Sequence, residues 1–214
     1  MNFILKLFNS NKKTNLILVL FSIYCCILLL FRAKITNSVY LIFLIWNLFL
    51  ALIPYLISSY LIAITKEKIS SYLPISLLII WLLFLPNSFY ILTDLVHIVR
   101  SSGTLFYLDL IIICSFAIIG FILGLLSLEH FKILLHSKNL KKYTTYIILF
   151  VCLLCGFGIY LGRILRYNSW NIISNPFQLF LDLITVAVTL KSILFSILFG
   201  TFIYLSYLLK QTKI

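Results

Sequence analysis

Pro86-Asn87-Ser88-Phe89-Tyr90-Ile91-Leu92-Thr93-Asp94-Leu95-Val96-His97 carries the strongest chemical signal in the chain. Asn87, Tyr90, Asp94 and His97 recur at spacings of three, four and three, the register of one helical stripe. A carboxylate that orients or charges an imidazole forms a general acid/base pair, and the same pair can move protons or join a metal site. The second run is Gly162-Arg163-Ile164-Leu165-Arg166-Tyr167-Asn168-Ser169-Trp170. Its Arg163, Arg166 and Trp170, three and four apart, are expected on one helical face. Arginine offers a planar fork that matches phosphate and carboxylate. Asp94 and His97 are therefore the candidate catalytic residues, and Arg163 and Arg166 the candidate anion clamp. Asn87, Tyr90, Asp109, Asn168 and Trp170 are supporting groups. Asp94, His97 and Asp109 could supply three metal ligands, but no second histidine accompanies them on that side, so no metal is assigned. No glycine-rich phosphate loop or recognisable serine or cysteine nucleophile setting occurs, and no cofactor is assigned.

These groups sit in an unusually apolar chain. Of its 214 residues 63% are hydrophobic and 10% charged, with a mean hydropathy of +1.16. A soluble domain carries about 25% charged residues, so this chain cannot cover a water-facing surface of its size. Soluble enzymes, soluble nucleic-acid binders and disordered regulators are excluded. A helix needs about 20 apolar residues to cross the hydrocarbon. Six spans are predicted, over residues 16–31, 38–64, 72–85, 105–128, 143–161 and 192–209. Pro54 should kink the second, and Pro86-Asn87 should stop the third. Phe177 to Leu209 is too long for one crossing, so 177–190 is read as an interfacial or re-entrant helix. The expected architecture is an all-α polytopic transmembrane bundle, one integral membrane domain over residues 1–214.

The net charge of +12 comes from seventeen basic residues against five acids. The cations lie in short segments between apolar runs, where they orient the bundle and meet anionic lipid at the cytoplasmic face. Nucleic-acid binding has no basic soluble surface to carry it. With both termini in the cytoplasm, the inner segments hold lysines alone: Lys6, Lys12, Lys13, Lys66, Lys68, Lys132, Lys138, Lys141, Lys142, Lys210 and Lys213. The outer segments hold Arg32, Lys34, Arg100, Arg163, Arg166 and Lys191. Lysine marks topology, whereas arginine is selected where a bidentate donor is wanted. Both polar runs thus fall at the extracytoplasmic end. Asp109 shares a helix face with Gly120 and Gly124 and should point inward. Gly120-x-x-x-Gly124 and Gly158-x-x-x-Gly162 mark closely packed faces. Glu129, His130 and His136 fall in the inner loop and are read as solvated. Cys25, Cys26, Cys114, Cys152 and Cys155 all lie within apolar runs, as small core residues.

Phe84-Leu85-Pro86-Asn87-Ser88-Phe89-Tyr90, then Thr93-Asp94 and His97, then Gly162-Arg163, Arg166 and Asn168-Ser169-Trp170, resemble the bacterial integral-membrane family catalogued as domain of unknown function 1361. The resemblance runs from about Ile35 to Ser206. Ser88-Phe89 stands where the family pattern often has Ala-Pro, and Asn171 where it often has Asp. The resemblance implies a multi-pass protein of the bacterial cell membrane and no particular activity. Three functions fit the residues. One is an enzyme acting at the outer leaflet on a lipid-linked or other anionic substrate. Another is a proton-coupled small-anion transporter or channel, which lacks an internal repeat and charged groups in the inner halves of the spans. The third is a structural or accessory subunit, in which Asp94 or Asp109 pairs with Arg163 or Arg166 only to lock helices and Tyr90, Tyr167 and Trp170 are interfacial aromatics.

Overall fold

The computed structural model describes residues 12–65, 72–100, 105–167, 177, 181, 185 and 189–212. Six helices among them are long and apolar enough to cross a membrane. They are α1 (Lys12–Thr36), α2 (Phe43–Thr65), α3 (Tyr72–Tyr90), α4 (Phe106–Ser137), α5 (Thr144–Arg163) and α6 (Leu190–Gln211). A 3₁₀ segment (Ile91–Arg100) continues α3. Side-chain contacts fix an up-and-down order. Arg32 late in α1 meets Asp109 early in α4, and Arg163 at the end of α5 meets Asp94 just past α3. Lys210 late in α6 reaches the Leu125 carbonyl of α4. Lys12 and Gln211 therefore lie at one end of the bundle, and Asp94 at the other.

α4 is the central helix: 61% of its most apolar stretch is buried, against 22% for α1 and α6. Around it the helices close through small residues, because lipid offers no hydrophobic gradient to drive association and close van der Waals packing must serve instead. A Cβ on Gly156 would lie 2.5 Å from the Ser196 carbonyl oxygen, and one on Gly200 2.7 Å from Leu153 Cα, so α5 and α6 touch backbone to backbone. The other two glycine pairs grip a single segment. Gly120 and Gly124 of α4 lie against Ile91, Ser88 and Phe89, while Gly158 and Gly162 of α5 lie against Pro86 and Tyr90. The stretch 86–91 is thus clamped from both sides, which sets the position of Asp94 one turn further on.

Three helices run well beyond the expected limits. α3 does not stop at Leu85; it passes through Pro86 to Tyr90 and continues as the 3₁₀ segment. Proline removes a helical hydrogen bond, but neighbouring groups can compensate within a membrane bundle. The Pro86 ring rests where Gly158 leaves room, so α3 can pass through it, and in the next turn Asn87 Nδ2 donates to the Phe84 carbonyl at 3.0 Å. Pro54 lies inside α2 as expected, and Ser88 Oγ donates to the nearby Ala51 carbonyl at 2.9 Å. α4 continues to Ser137 instead of ending near Leu128, because its last turns pack against α2 and α6. Glu129, His130 and His136 are consequently helical, not in a loop. α1 likewise includes Arg32 rather than ending before it. α6 starts on a Thr189 cap whose side chain accepts from the Ser192 N–H. Of the interfacial helix expected over 177–190, Phe177, Leu181 and Thr185 are helical and exposed; its other positions up to 188 lie outside the described residues.

Candidate functional site

Asp94 is 1% exposed. Its position follows from the 3₁₀ geometry, in which three residues per turn bring every third side chain onto one face. Ile91 and Asp94 are buried, and His97 is half-buried on the same line, while Leu95, Val96 and Val99 face outward. A buried carboxylate needs both a countercharge and hydrogen bonds. Asn47 Nδ2 of α2 donates to Asp94 Oδ2 at 2.7 Å, and Arg163 Nη1 of α5 donates to Oδ1 at 3.3 Å. The Arg163 guanidinium also donates through Nη2 to the Thr93 carbonyl at 2.7 Å and through Nη1 to the Tyr90 hydroxyl at 3.4 Å. Its carbon stands 5.7 Å from the centre of the Tyr90 ring, a cation–π contact. One arginine thereby ties the end of α5 to four groups presented by α3 and its continuation.

A second pair lies at the same end. Arg32 Nε and Nη2 donate to Asp109 Oδ1 and Oδ2 at 2.9 and 3.3 Å, a bidentate fork between α1 and α4. Arg32 also stands 5.7 Å from the Tyr40 ring centre. Tyr40 in turn places its hydroxyl 3.4 Å from His97 Nδ1, and the Phe43 ring lies 4.9 Å from the imidazole. Tyr40 therefore bridges the Arg32–Asp109 pair and His97. The arrangement is a polar cluster drawn from α1, the turn after it, α2, the 3₁₀ segment, α4 and α5.

Several sequence expectations are altered by this geometry. Asp109 points inward, buried at 2% exposure, but its partner is Arg32, which lies at the same level of the bundle, and not Arg163 or Arg166. The hydrogen bonds described for Asp94 come from Asn47 and Arg163, whereas His97 meets Tyr40 and Phe43. Arg166 does not share a helical face with Arg163, because α5 ends at Arg163; Arg166 is exposed, with φ 59°. Asn87 serves the Phe84 carbonyl of its own helix. Asn168 and Trp170 lie outside the described residues, as does Glu67. No group of three His, Cys, Asp or Glu side chains able to share an ion occurs among the described residues.

Arg32, Tyr40 and Asn47 were not singled out in the sequence. Asn47, a lone amide in the apolar run Leu41 to Ile53, was the available signal. His130 is the larger departure. It is 8% exposed, with Nδ1 3.1 Å from both Ser58 Oγ and Ser59 Oγ, and its ring stacks on Tyr55 at 5.3 Å. Ser58 also receives a hydrogen bond from Ser127, which accepts one from Trp81 Nε1 at 2.7 Å. The end of the bundle opposite Asp94 thus carries a buried network of hydroxyls around one imidazole.

Six apolar crossings and a cluster of buried arginine–aspartate pairs define a polytopic helical membrane protein with a polar site at one end. The chain belongs to the family described as protein of unknown function (DUF1361), whose sequence pattern matches residues 46–206. That match takes in Asn47, Asp94, Asp109 and Arg163 and leaves out Arg32 and Tyr40. No curated protein and no solved structure matches the chain.

Proposed function

We propose that this chain is a bacterial cell-membrane enzyme that acts on a lipid-linked or other anionic substrate at the Asp94 end, which faces away from the cytoplasm. The observation that carries the reading is the state of Arg163. Its side chain is 21% exposed while the Asp94 side chain it holds is 2% exposed, so the cation meets the surroundings and its counterion does not. A cation in that position attracts an anionic group, and exposed Arg166, three residues on, adds a second. His97, half-buried with its ring fixed by Tyr40 and Phe43, is the general acid/base. Asp94 is then a positioning residue: it holds Arg163 across the gap between α3 and α5. The outward orientation rests on the distribution of lysine and arginine between the two ends.

One observation favours a different reading, in which the cluster only locks helices together: Asp94 and Asp109 are both met by arginines of their own chain. The readings separate in cells that lack the protein and receive His97→Gln or Arg166→Lys. Membrane insertion and lipid and cell-envelope composition are measured side by side. The enzyme reading expects both variants to insert normally and to leave the composition of cells without the protein. Wild-type composition in both variants would overturn it, and loss of both from the membrane would favour helix locking. Conversion of a lipid or lipid-linked substrate by purified protein in detergent, with no gradient, distinguishes an enzyme from a proton-coupled transporter.

A further inference from the structure

A groove of about 920 Å³ runs between α1 and α2, with Leu123 of α4 at its floor. Its α2 wall extends from Ile45 to Tyr60. At 1.5 Å per residue that is about 22 Å, most of a hydrocarbon core about 30 Å thick. Polarity changes along it. Toward the Asp94 end the α2 wall is apolar, formed by Ile45, Leu48, Phe49 and Leu52. At the opposite end Asn15, Tyr55, Ser59 and Tyr60 line it. That polar end is built, not incidental. The Tyr55 hydroxyl donates to Asn15 Oδ1 at 2.5 Å, the Tyr55 ring stacks on His130, and Ser59 Oγ lies 3.1 Å from His130 Nδ1.

The α1 wall itself is uncharged, but its stripe leads to a cation just beyond the groove. Asn15, Val19 and Ser22 line the groove at spacings of four and three, and Lys12 precedes Asn15 by three, on the same helical stripe. Lys12 is exposed, and Lys13 beside it is exposed too. The stripe thus descends from an ammonium through an amide and a hydroxyl into an apolar channel. An amphiphile with a negative head and a long apolar chain has the complementary order. We propose that the groove between α1 and α2 binds an anionic phospholipid, its phosphate at Lys12 and an acyl chain along α2 past Leu52. Its head lies at the bundle end opposite Asp94, so this lipid is not the substrate of the site above, and the inference stands independently of that reading.

The test is a titration of delipidated, purified full-length protein in detergent, followed by native mass spectrometry. The probes are dioleoyl phosphatidylglycerol and dioleoyl phosphatidylcholine, which share their chains and differ in head charge. One phosphatidylglycerol should bind each chain and outcompete phosphatidylcholine. Lys12→Gln should weaken phosphatidylglycerol binding about fivefold, the effect of one cation near a lipid head, and weaken phosphatidylcholine, whose own ammonium offsets its phosphate, by less. Leu52→Trp, which fills the channel, should abolish that binding. Equal binding of the two lipids, or no effect of Lys12→Gln, would overturn the proposal. A phosphatidylglycerol carrying a photoreactive acyl chain tests the unaltered protein, so that a poorly folding Leu52→Trp does not decide the matter. Crosslinks should fall on Leu48, Leu52 and their α1 neighbours, and crosslinks confined elsewhere would overturn it.

Discussion

The two arginine–aspartate pairs lie at the same end of the bundle and are built differently. Arg32 gives two donors to one carboxylate, and the two side chains are 9% and 3% exposed. Arg163 gives Asp94 a single bond, spreads its other contacts over Thr93 and Tyr90, and keeps 21% of its side chain exposed. Both pairs neutralise a buried acid, which is a condition for placing charge in a membrane at all. Only the second leaves part of its cation available to something outside the chain. The contrast separates a joint that holds α1 to α4 out of reach from a joint that leaves part of its cation exposed.

The largest effect should come from breaking the sealed joint. Asp109→Ala leaves the Arg32 guanidinium buried without its counterion, which costs about 3–5 kcal/mol. Thermal unfolding in detergent should show the loss, along with reduced accumulation in the membrane. The double replacement Arg32→Met with Asp109→Leu should regain most of that stability, because apolar groups of similar volume can substitute for a buried pair. A single variant as stable as the parent would mean that Arg32 finds water, and the contrast between the two joints would fall.

How far the site could be read in advance follows the same division. Hydropathy located all six crossings because lipid imposes a length and a composition on each. It misplaced the ends of α1, α3 and α4 because helices continue past the hydrocarbon where neighbours pack against them. Asp94 and Arg163 were legible as ionisable groups too costly to bury without a reason. The pairing of Asp94 with Arg163 was among the alternatives the sequence offered; the partner of Asp109 was not, since Arg32 and Asp109 are 77 positions apart and the choice among arginines at one level is made by tertiary packing. The 3₁₀ segment was equally hidden. Over the spacing from Asp94 to His97, periods of 3.0 and 3.6 predict the same stripe. Glycine pairs gave a truer signal: both face the stretch 86–91 that leads to Asp94.

An intermediate effect is expected at Asn47, the donor to the Asp94 oxygen that Arg163 does not take. Asn47→Leu keeps the branched shape and removes the N–H, leaving one buried carboxylate oxygen without that partner at about 1–3 kcal/mol. If Asp94 works by holding Arg163, the variant should also disturb the chemistry at His97, whereas Asp109→Ala rescued by its double replacement should not. Melting curves and the envelope-composition assay, run on the same preparations, check both halves. Equal functional loss in the rescued double variant would show that the two joints form one site.

The smallest structural effect belongs to Arg166, which sharpens the comparison most. It lies beyond the end of α5, exposed and in the left-handed backbone region. Arg166→Lys keeps the charge, adds no branched carbon at a position with positive φ, and removes the planar fork. Stability should stay within about 0.5 kcal/mol, as for surface substitutions clear of packed features. Function should fall if the outer cation recognises a phosphate or carboxylate bidentately, because lysine restores the charge but not the paired donors. Unfolding and envelope composition therefore move together in Asp109→Ala and move apart in Arg166→Lys. A lysine variant that retains full function would confine anion recognition to Arg163, the one arginine of the two that is already held in place by an acid.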